Sequence, residues 1–241
     1  MIDLYFWPTP DAWKISIALE ELGLAYNLKP VNMGRGEQFE PEFLSISPNN
    51  HLPALLDHSP PGGGPPFSCF ESGAMLLYLA DKTGRLLPTE WRARHNVLPW
   101  LMWQVGGLGP MLAQHGHFTL NATEQIAYPI DRYERETWRL YTVLDDHLGR
   151  QRSTGGAYLM GEYSIADIAI FPWVMTHRTQ GLSLNEFPNV QRWFAIIRAR
   201  TAVQRGLLAG RDLPATNPLD IAWRRHLFDE DEEEHTRPQN L

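Results

Sequence analysis

The sequence has only one cysteine, Cys69, among 241 residues. A single cysteine excludes an internal disulfide and any metal site built from several cysteines, and low cysteine content is typical of a reducing compartment. No run approaches the roughly 18 consecutive apolar residues of a membrane helix, and the first residues lack the basic and apolar pattern of a signal peptide. We therefore expect a cytoplasmic protein that does not associate with membranes.

Basic residues are also in the minority, with 21 Lys and Arg against 28 Asp and Glu, a net charge of −7. Acidic residues are in excess in residues 1–90 and 216–241, whereas residues 91–215 have an excess of Lys and Arg. There is no basic stripe of the kind that nucleic-acid-binding proteins carry, so we expect no nucleic-acid partner. The acidic run Asp229–Glu234 predicts a flexible, solvated tail over residues 216–241.

The first part of the chain alternates strand and helix signals. A β-type run over residues 2–7 is followed by Thr9 and Pro10, a typical N-cap and first helical residue, and the helix should end at Gly23. Residues 25–33 then read as a second strand, which predicts a parallel β-α-β unit. Residues 34–50 predict a loop with at most a short helix.

A hairpin and a further helix follow. Residues 51–57 and 67–70 read as strands joined by a turn rich in Pro and Gly, and the next helix should close at Gly84. The resulting order β-α-β-α-β-β-α is thioredoxin-like. It predicts an α/β, thioredoxin-like N-terminal domain over residues 1–87, followed by a linker.

Beyond residue 91 the strand signals fade and helical ones dominate. Residues 91–112 predict a helical segment broken at Gly106, Gly107 and Pro110, and residues 128–148 a long amphipathic helix. Ser164 and Asp167 suit a capping box, and residues 188–200 give another helix. We expect an all-helical C-terminal domain over residues 92–215.

Thr9 and Asp11 lie at the predicted start of the first helix. A helix N-terminus has free N–H groups and a partial positive charge, so it can stabilise an anion such as a thiolate, to which the Thr9 hydroxyl can donate. The alternative is that Thr9 is only a cap, which is the common role of threonine there.

Leu52 and Pro53 stand where the third strand begins, a position that suits proline because it lacks a ladder donor. A cis peptide bond would free the Leu52 N–H and C=O to pair with a peptide-like ligand. Base rates favour the trans form, and trans is the expectation from sequence.

Glu71 and Ser72 precede the third predicted helix. With Ser72 as N-cap, the helix start can bind a carboxylate, while Glu71 can hold an ammonium group, so together they suit an α-amino acid head. The alternative is a capped helix beside a solvated glutamate.

A further set of polar residues lies in the predicted loop: Gln38, Asn49, Asn50 and His51. These residues can bind a carboxylate or simply form turns.

Taken together, these features resemble the glutathione transferase superfamily, in particular Nu-class enzymes and related disulfide-bond oxidoreductases. The resemblance covers roughly residues 1–208. It is carried by the stretches PTPDAWKISIALEELGL, NMGRGEQFEPEFLSISPNNHLPAL, FESGAMLLYLADKTG, WQVGGLGPML, YSIADIAIFPW and FPNVQRWFAIIRARTA. It implies a homodimer with a thioredoxin-like domain and an all-helical domain, with glutathione bound in reduced or disulfide form.

The resemblance also implies roles for individual residues. The sulfur would face Thr9 and residue 11, and the glycyl end would lie near Gln38 and His51. The Leu52 backbone, followed by Pro53, would pair with the cysteinyl unit, and Glu71 with Ser72 would hold the γ-glutamyl head. Arg132 would reach a second glutathione or the disulfide form, although it can equally be a solvated residue paired with Glu136.

Two residues depart from the family pattern. Relatives commonly have Asn where this chain has Asp11, and an ionised carboxylate cannot donate to sulfur and would raise a thiol pKa nearby. Asp11 can instead point away and serve the helix dipole. His51 stands where relatives often have Lys or Arg, so a neutral imidazole would offer less charge to the glycyl carboxylate.

Other candidates for chemistry are weaker. We expect Cys69 to be a small buried apolar residue and Tyr5 a core residue. The spacing of His115 and His117 is weak evidence for a metal, and no metal is expected. Trp103, His117 and Phe118 are candidates to line a cleft between the domains.

The predicted function is glutathione-dependent reduction of small disulfides, with the redox chemistry on glutathione sulfur because the chain has no Cys-x-x-Cys pair. One alternative is conjugation of glutathione to an electrophile. Another is a non-catalytic glutathione-binding regulatory protein, because fold does not determine function.

Overall fold

The computed structural model describes residues 1–214, so the predicted acidic tail and residue 215 of the predicted helical domain lie outside the described residues. The N-terminal half contains four strands, whose order in the sheet is β2-β1-β3-β4: β1 (Ile2–Phe6), β2 (Tyr26–Pro30), β3 (Ala54–Asp57) and β4 (Phe67–Phe70). Strands β1 and β2 are parallel, as predicted, and β3 is antiparallel to both β1 and β4.

The helices of this half are α1 (Pro10–Leu22), α2 (Pro41–Leu44) and α3 (Ser72–Thr83). Thr9 caps α1 by accepting a hydrogen bond from the N–H of Ala12 at 3.3 Å, and Gly23 ends the helix in the left-handed region, both as predicted. Apart from α2, the predicted loop over residues 34–50 contains short 3₁₀ turns.

The C-terminal half is helical. Its elements are α4 (Trp91–Trp103), α5 (Gly109–Gly116), α6 (Ala127–Ser153), α7 (Ile165–Val174), α8 (Pro188–Arg198) and α9 (Thr201–Leu207). The predicted break at Gly106 and Gly107 takes the form of a π-helical turn over Gln104–Leu108, which interrupts the α-helix and carries the chain directly from α4 into α5. Pro110 follows this turn in α5 and cannot donate a hydrogen bond back to it.

Helix α1 is buried on nearly all sides, because α3 packs against it within the first half and α7 and α9 pack against it from the second. The approach of α9 is close: the Ser16 hydroxyl donates to the Gly206 carbonyl at 2.7 Å, and a Cβ on Gly206 would lie 2.6 Å from Ile17 Cα. The middle of α1 is therefore packed closely against the second half.

Helix α7 begins with the predicted capping box of Ser164 and Asp167, which is confirmed. The buried Asp167 carboxylate also accepts hydrogen bonds from the Leu159 N–H at 3.0 Å and the Trp193 indole at 2.8 Å. Burial raises the pKa of Asp167 to about 6, against the effect of these donors. This network fixes the start of the helix that carries Trp173.

The predicted fold class, a thioredoxin-like domain with an all-helical domain, is confirmed. The boundaries 1–87 and 92–215 stay a prediction. Across residues 1–214, no helix is both long and apolar enough to cross a membrane.

Candidate functional site

An open pocket lies beside the N-terminal end of α1. Its walls come from that helix, from the loop before β3, from the end of β4 and from the start of α3. It is lined by Asp11, Ser47, His51, Leu52, Pro53, Phe70, Glu71 and Ser72. Six of these are residues that the sequence marks as site candidates, and the fold brings them together from positions 11 to 72.

Three further candidates, Thr9, Gln38 and Arg132, are not among the lining residues. Thr9 caps α1, and Gln38 lies in a 3₁₀ turn with its buried Oε1 lacking a hydrogen-bond partner in the described part of the chain. Arg132 is exposed on α6. Glu136, the partner of Arg132 in the alternative interpretation, forms a two-point ion pair with Arg139, at 2.7 and 2.8 Å, and the charge of Arg132 helps to lower the pKa of Glu136.

The Leu52–Pro53 peptide bond is cis, so the trans expectation was wrong. Base rates describe a peptide bond without its surroundings, whereas here Pro53 is buried in the fold. Strand β3 begins at Ala54, and among residues 1–214 no hydrogen bond involves the Leu52 backbone. A backbone donor and acceptor therefore remain open beside the pocket.

The start of α3 also differs from the prediction. Glu71, not Ser72, is the N-cap, with φ 69° and ψ 112°, and Ser72 is the first helical residue. The Ser72 oxygen accepts a hydrogen bond from Lys14 Nζ at 3.2 Å. A positive φ is unfavourable for a residue with a side chain, and such strain concentrates at functional sites.

Asp11 lines the pocket wall with its side chain 41% exposed. Its Oδ1 is 2.6 Å from Lys14 Nζ and accepts a hydrogen bond from Trp173 Nε1 at 3.0 Å. The carboxylate is therefore paired with a cation and tied to the helical half through α7.

Sequence reasoning missed Lys14, whose side chain is only 2% exposed. Its ammonium group also donates to Gln104 Oε1 at 2.6 Å. Burial lowers the pKa of Lys14, while the negative charges of Asp11 and Glu71 act in the opposite direction. The one signal in the sequence was a lysine inside the apolar stretch AWKISIAL, since lysine is almost never fully buried without partners.

Tyr5 and Cys69 do not line this pocket. Tyr5 is half-buried, packs its ring 6.0 Å from that of Phe43 and borders a different pocket, and burial raises its pKa. Cys69 is half-buried, and burial raises its pKa to about 11, which disfavours the reactive thiolate. Both residues pack against the core but are only partly buried, so the prediction that Cys69 is buried and Tyr5 is a core residue was wrong in the degree of burial.

His115 is buried beside Thr137, and burial lowers its pKa. The His117 ring meets Phe118 at 5.2 Å, and Phe118 stacks on Tyr133 at 5.6 Å. Trp103 packs edge-on against Trp100, and a cleft lined by Trp103, His117 and Phe118 stays a prediction. Over residues 1–214, no group of three His, Cys, Asp or Glu has a geometry that could hold a metal ion.

Two family models match the chain: the glutathione S-transferase N-terminal domain over residues 2–81 and the glutathione S-transferase C-terminal domain over residues 113–201. The chain belongs to the glutathione S-transferase family. Its predicted membership of this family of enzymes is thereby confirmed.

Relatives within the glutathione S-transferase family are similar over most of the chain. The disulfide-bond oxidoreductase YfcG of Escherichia coli strain K12 is 53% identical over 208 residues, covering 86% of this chain and 95% of the relative. A glutathione transferase family member from Pseudomonas fluorescens, solved with two glutathione bound, is 47% identical, with a TM-score of 0.79 and coverage of 86% and 92%.

A third relative, a glutathione transferase from Pseudomonas putida, was solved with one glutathione disulfide bound per subunit. It is 46% identical with a TM-score of 0.79, and the match covers 86% of this chain and 90% of that one. The predicted resemblance to disulfide-bond oxidoreductases is confirmed by the first of these three relatives.

Proposed function

We propose that this protein binds glutathione in the pocket beside α1 and uses it to reduce small disulfides. The observation that carries the proposal is that six sequence-predicted residues from three separate segments, Asp11, residues 51–53 and residues 71–72, line one pocket. The relatives described above support it, since one is named a disulfide-bond oxidoreductase and two were solved with reduced or oxidised glutathione.

The reaction balances without a protein cysteine. The thiolate of one glutathione attacks a disulfide RSSR, forming a mixed disulfide and releasing RS⁻, which takes up a proton. A second glutathione thiolate attacks the glutathione sulfur of the mixed disulfide and releases the second RS⁻. Two glutathione thiols are oxidised to glutathione disulfide and one substrate disulfide is reduced to two thiols.

Each end of the pocket suits one part of the tripeptide. At the γ-glutamyl end, the Glu71 carboxylate would hold the ammonium group and the Ser72 hydroxyl the carboxylate. In the middle, the Leu52 N–H and C=O would pair with the cysteinyl unit in antiparallel fashion. At the glycyl end, the His51 imidazole and the side-chain NH₂ group of Gln38 would donate to the second carboxylate.

Thr9 and the N-terminal end of α1 would stabilise the thiolate. The Thr9 oxygen accepts its hydrogen bond from the Ala12 N–H, so the single hydroxyl hydrogen stays available to donate to sulfur. The free N–H groups of the first helical turn add a partial positive charge.

Arg132 would contact the second glutathione or the disulfide form. We also propose a cytoplasmic homodimer.

The test compares two substrates at saturating glutathione: 2-hydroxyethyl disulfide, followed through glutathione disulfide formation, and 1-chloro-2,4-dinitrobenzene, followed through the conjugate. We expect turnover of the disulfide, with two glutathione consumed per disulfide reduced. Cys69→Ala should retain the wild-type rate within twofold, because the reacting sulfur belongs to glutathione.

The other functions give distinct results. Turnover of the halide alone would mean conjugation, and binding of glutathione with no turnover of either substrate would mean a non-catalytic binding protein.

Ser72→Ala should raise the KM for glutathione about tenfold, since a hydrogen bond to a charged group contributes about 1.5–3 kcal/mol. The matched control, Ser153→Ala on the exposed end of α6, should leave KM unchanged.

A further inference from the structure

The buried ammonium group of Lys14 contacts three side chains that come from three different elements. These are Asp11 Oδ1 in α1 at 2.6 Å, Gln104 Oε1 after α4 at 2.6 Å and Ser72 Oγ in α3 at 3.2 Å. An ammonium group has three donors, so each has an acceptor. Two of the acceptors, Asp11 and Ser72, belong to residues that line the pocket.

Stability alone is a poor explanation for this arrangement. A buried ion pair loses so much hydration that well-packed apolar residues of similar volume are often as stabilising or more so. The arrangement is also built into the packing, because a Cβ on Gly109 would lie 2.6 Å from Gln104 Nε2. The chain therefore keeps a buried cation directly behind the pocket and holds it with the helical half.

At the Ser72 end, Lys14 sets the direction of a hydrogen bond. Lysine can only donate, so the Ser72 oxygen must be the acceptor of the 3.2 Å contact. The hydroxyl hydrogen is then free to donate into the pocket. A serine held in this way is a donor directed at a carboxylate, with a positive charge behind it.

At the Asp11 end, Lys14 offsets a negative charge. An ionised carboxylate beside a thiol would disfavour the thiolate, as would be expected wherever Asp replaces Asn at this position. Here the nearest cation lies 2.6 Å from the carboxylate oxygen. The pair together contributes far less net charge to the pocket than Asp11 alone would.

We propose that Lys14 is a positioning residue that serves both ends of the glutathione site, offsetting the charge of Asp11 near the sulfur and directing the Ser72 hydroxyl at the γ-glutamyl carboxylate. This inference rests on the function proposed above. The other charged or titratable side chains that line the pocket are Glu71 and His51. The C-terminal half meets Lys14 and Asp11 through the neutral Gln104 and Trp173.

The first test is an ultraviolet titration of the thiolate of bound glutathione, at saturation, in a four-protein cycle. The proteins are wild type, Lys14→Met, Asp11→Asn and the double variant. At pH 7 we expect Lys14→Met to lower the thiolate fraction three- to tenfold and Asp11→Asn to raise it. The double variant, in which both charges are absent, should lie close to wild type.

A purely structural role for Lys14 would weaken binding without changing the titration of the glutathione that is bound. Identical titrations in all four proteins would therefore overturn the proposal. If Lys14→Met does not fold because Asp11 is left unpaired, Asp11→Asn is compared with the double variant. A thiolate fraction that is not lower in the double variant would then overturn it.

The second test addresses Ser72. In the Asp11→Asn background, Lys14→Met should raise the KM for glutathione about fivefold, and this effect should vanish when Ser72→Ala is also present. An undiminished effect would contradict the serine half of the proposal. Calorimetry of wild type with reduced glutathione separates the two proposals. Absence of binding would contradict the proposed function. Binding to wild type, together with thiolate titrations and KM values that Lys14→Met leaves unchanged, would contradict only the role of Lys14.

Discussion

The indole of Trp173 donates a hydrogen bond to the carboxylate of Asp11 at 3.0 Å, although 162 residues separate them in the sequence. Asp11 belongs to the first helix of the thioredoxin-like half and Trp173 to α7 of the helical half. The wall of the candidate glutathione pocket is therefore fixed from both halves of the chain. The position of Asp11 depends on the packing of α7 against α1.

Trp173→Phe removes the indole donor and part of a buried ring. Because the smaller ring also leaves a cavity, we expect the free energy of unfolding to fall by more than the roughly 1 kcal/mol of a hydrogen bond to a partly exposed charged group. Urea unfolding measures this value. In an Asp11→Ala background, Trp173→Phe should lower the free energy of unfolding by a smaller amount. An equal decrease in both backgrounds would show that the hydrogen bond between Trp173 and Asp11 adds no stability.

Glu71→Gly should separate stability from binding. Glu71 has φ 69°, which glycine adopts without a steric penalty. We therefore expect the free energy of unfolding of the variant to be about 1 kcal/mol higher than that of wild type. Loss of the carboxylate should raise the KM for glutathione at least tenfold. Thermal unfolding and steady-state kinetics check the two effects, and a variant that binds glutathione normally would remove Glu71 from the proposed site.

Arg132→Ala should weaken the second glutathione rather than the first. With the Arg132 charge gone, we expect the rate at low glutathione concentration to fall about tenfold or more, while calorimetric binding of the first molecule changes little. Arg135→Ala, an exposed arginine on the same helix, is the matched control. Equal effects of the two substitutions would indicate a general loss of positive charge instead of a contact.

Two histidines, the buried His115 and the half-buried His147, should reduce the stability of the protein in mild acid. Burial lowers the pKa of both below the ordinary value of 6.5, so the unfolded chain takes up protons before the folded one does. Their contribution is fully present above pH 6.5 and falls below it, by up to about 1.4 kcal/mol per pH unit for each histidine, whereas Asp167, whose pKa burial raises to about 6, acts in the opposite direction.

His115→Gln should make this loss shallower when the free energy of unfolding is measured at pH 5.5, 6.5 and 7.5. Between pH 7.5 and 8.5, where neither form of the protein protonates a histidine, the slopes of wild type and variant should agree. Identical slopes below pH 6.5 would show that His115 does not titrate differently in the two states.

Local signals were sufficient to predict much of the fold. Thr9, Gly23 and the pair Ser164 and Asp167 mark helix ends through hydrogen bonds and backbone angles that span a few residues, and all were found as expected. Six of the predicted site residues in the first half, though not Thr9 or Gln38, line one pocket, because the order of strands and helices determines which loops share an edge of the sheet.

The errors of prediction concern features that depend on distant contacts. Lys14 acquires its partners from Ser72 and Gln104, which are 58 and 90 residues away, so its role is not encoded in its neighbours. Ser72 was wrongly predicted to be an N-cap. It is the first residue of the helix, and its hydroxyl oxygen accepts a hydrogen bond from Lys14. The cis form of the Leu52–Pro53 bond likewise runs against the preference of an isolated peptide bond.

The most direct test of this account is a calorimetric titration of the well-folded protein with reduced glutathione and, separately, with glutathione disulfide. The account predicts saturable heat with at least one of the two forms, and at least tenfold weaker binding of that form to Ser72→Ala than to Ser153→Ala. Absence of saturable heat with both forms would contradict the claim that this pocket holds the tripeptide whose sulfur performs the reaction.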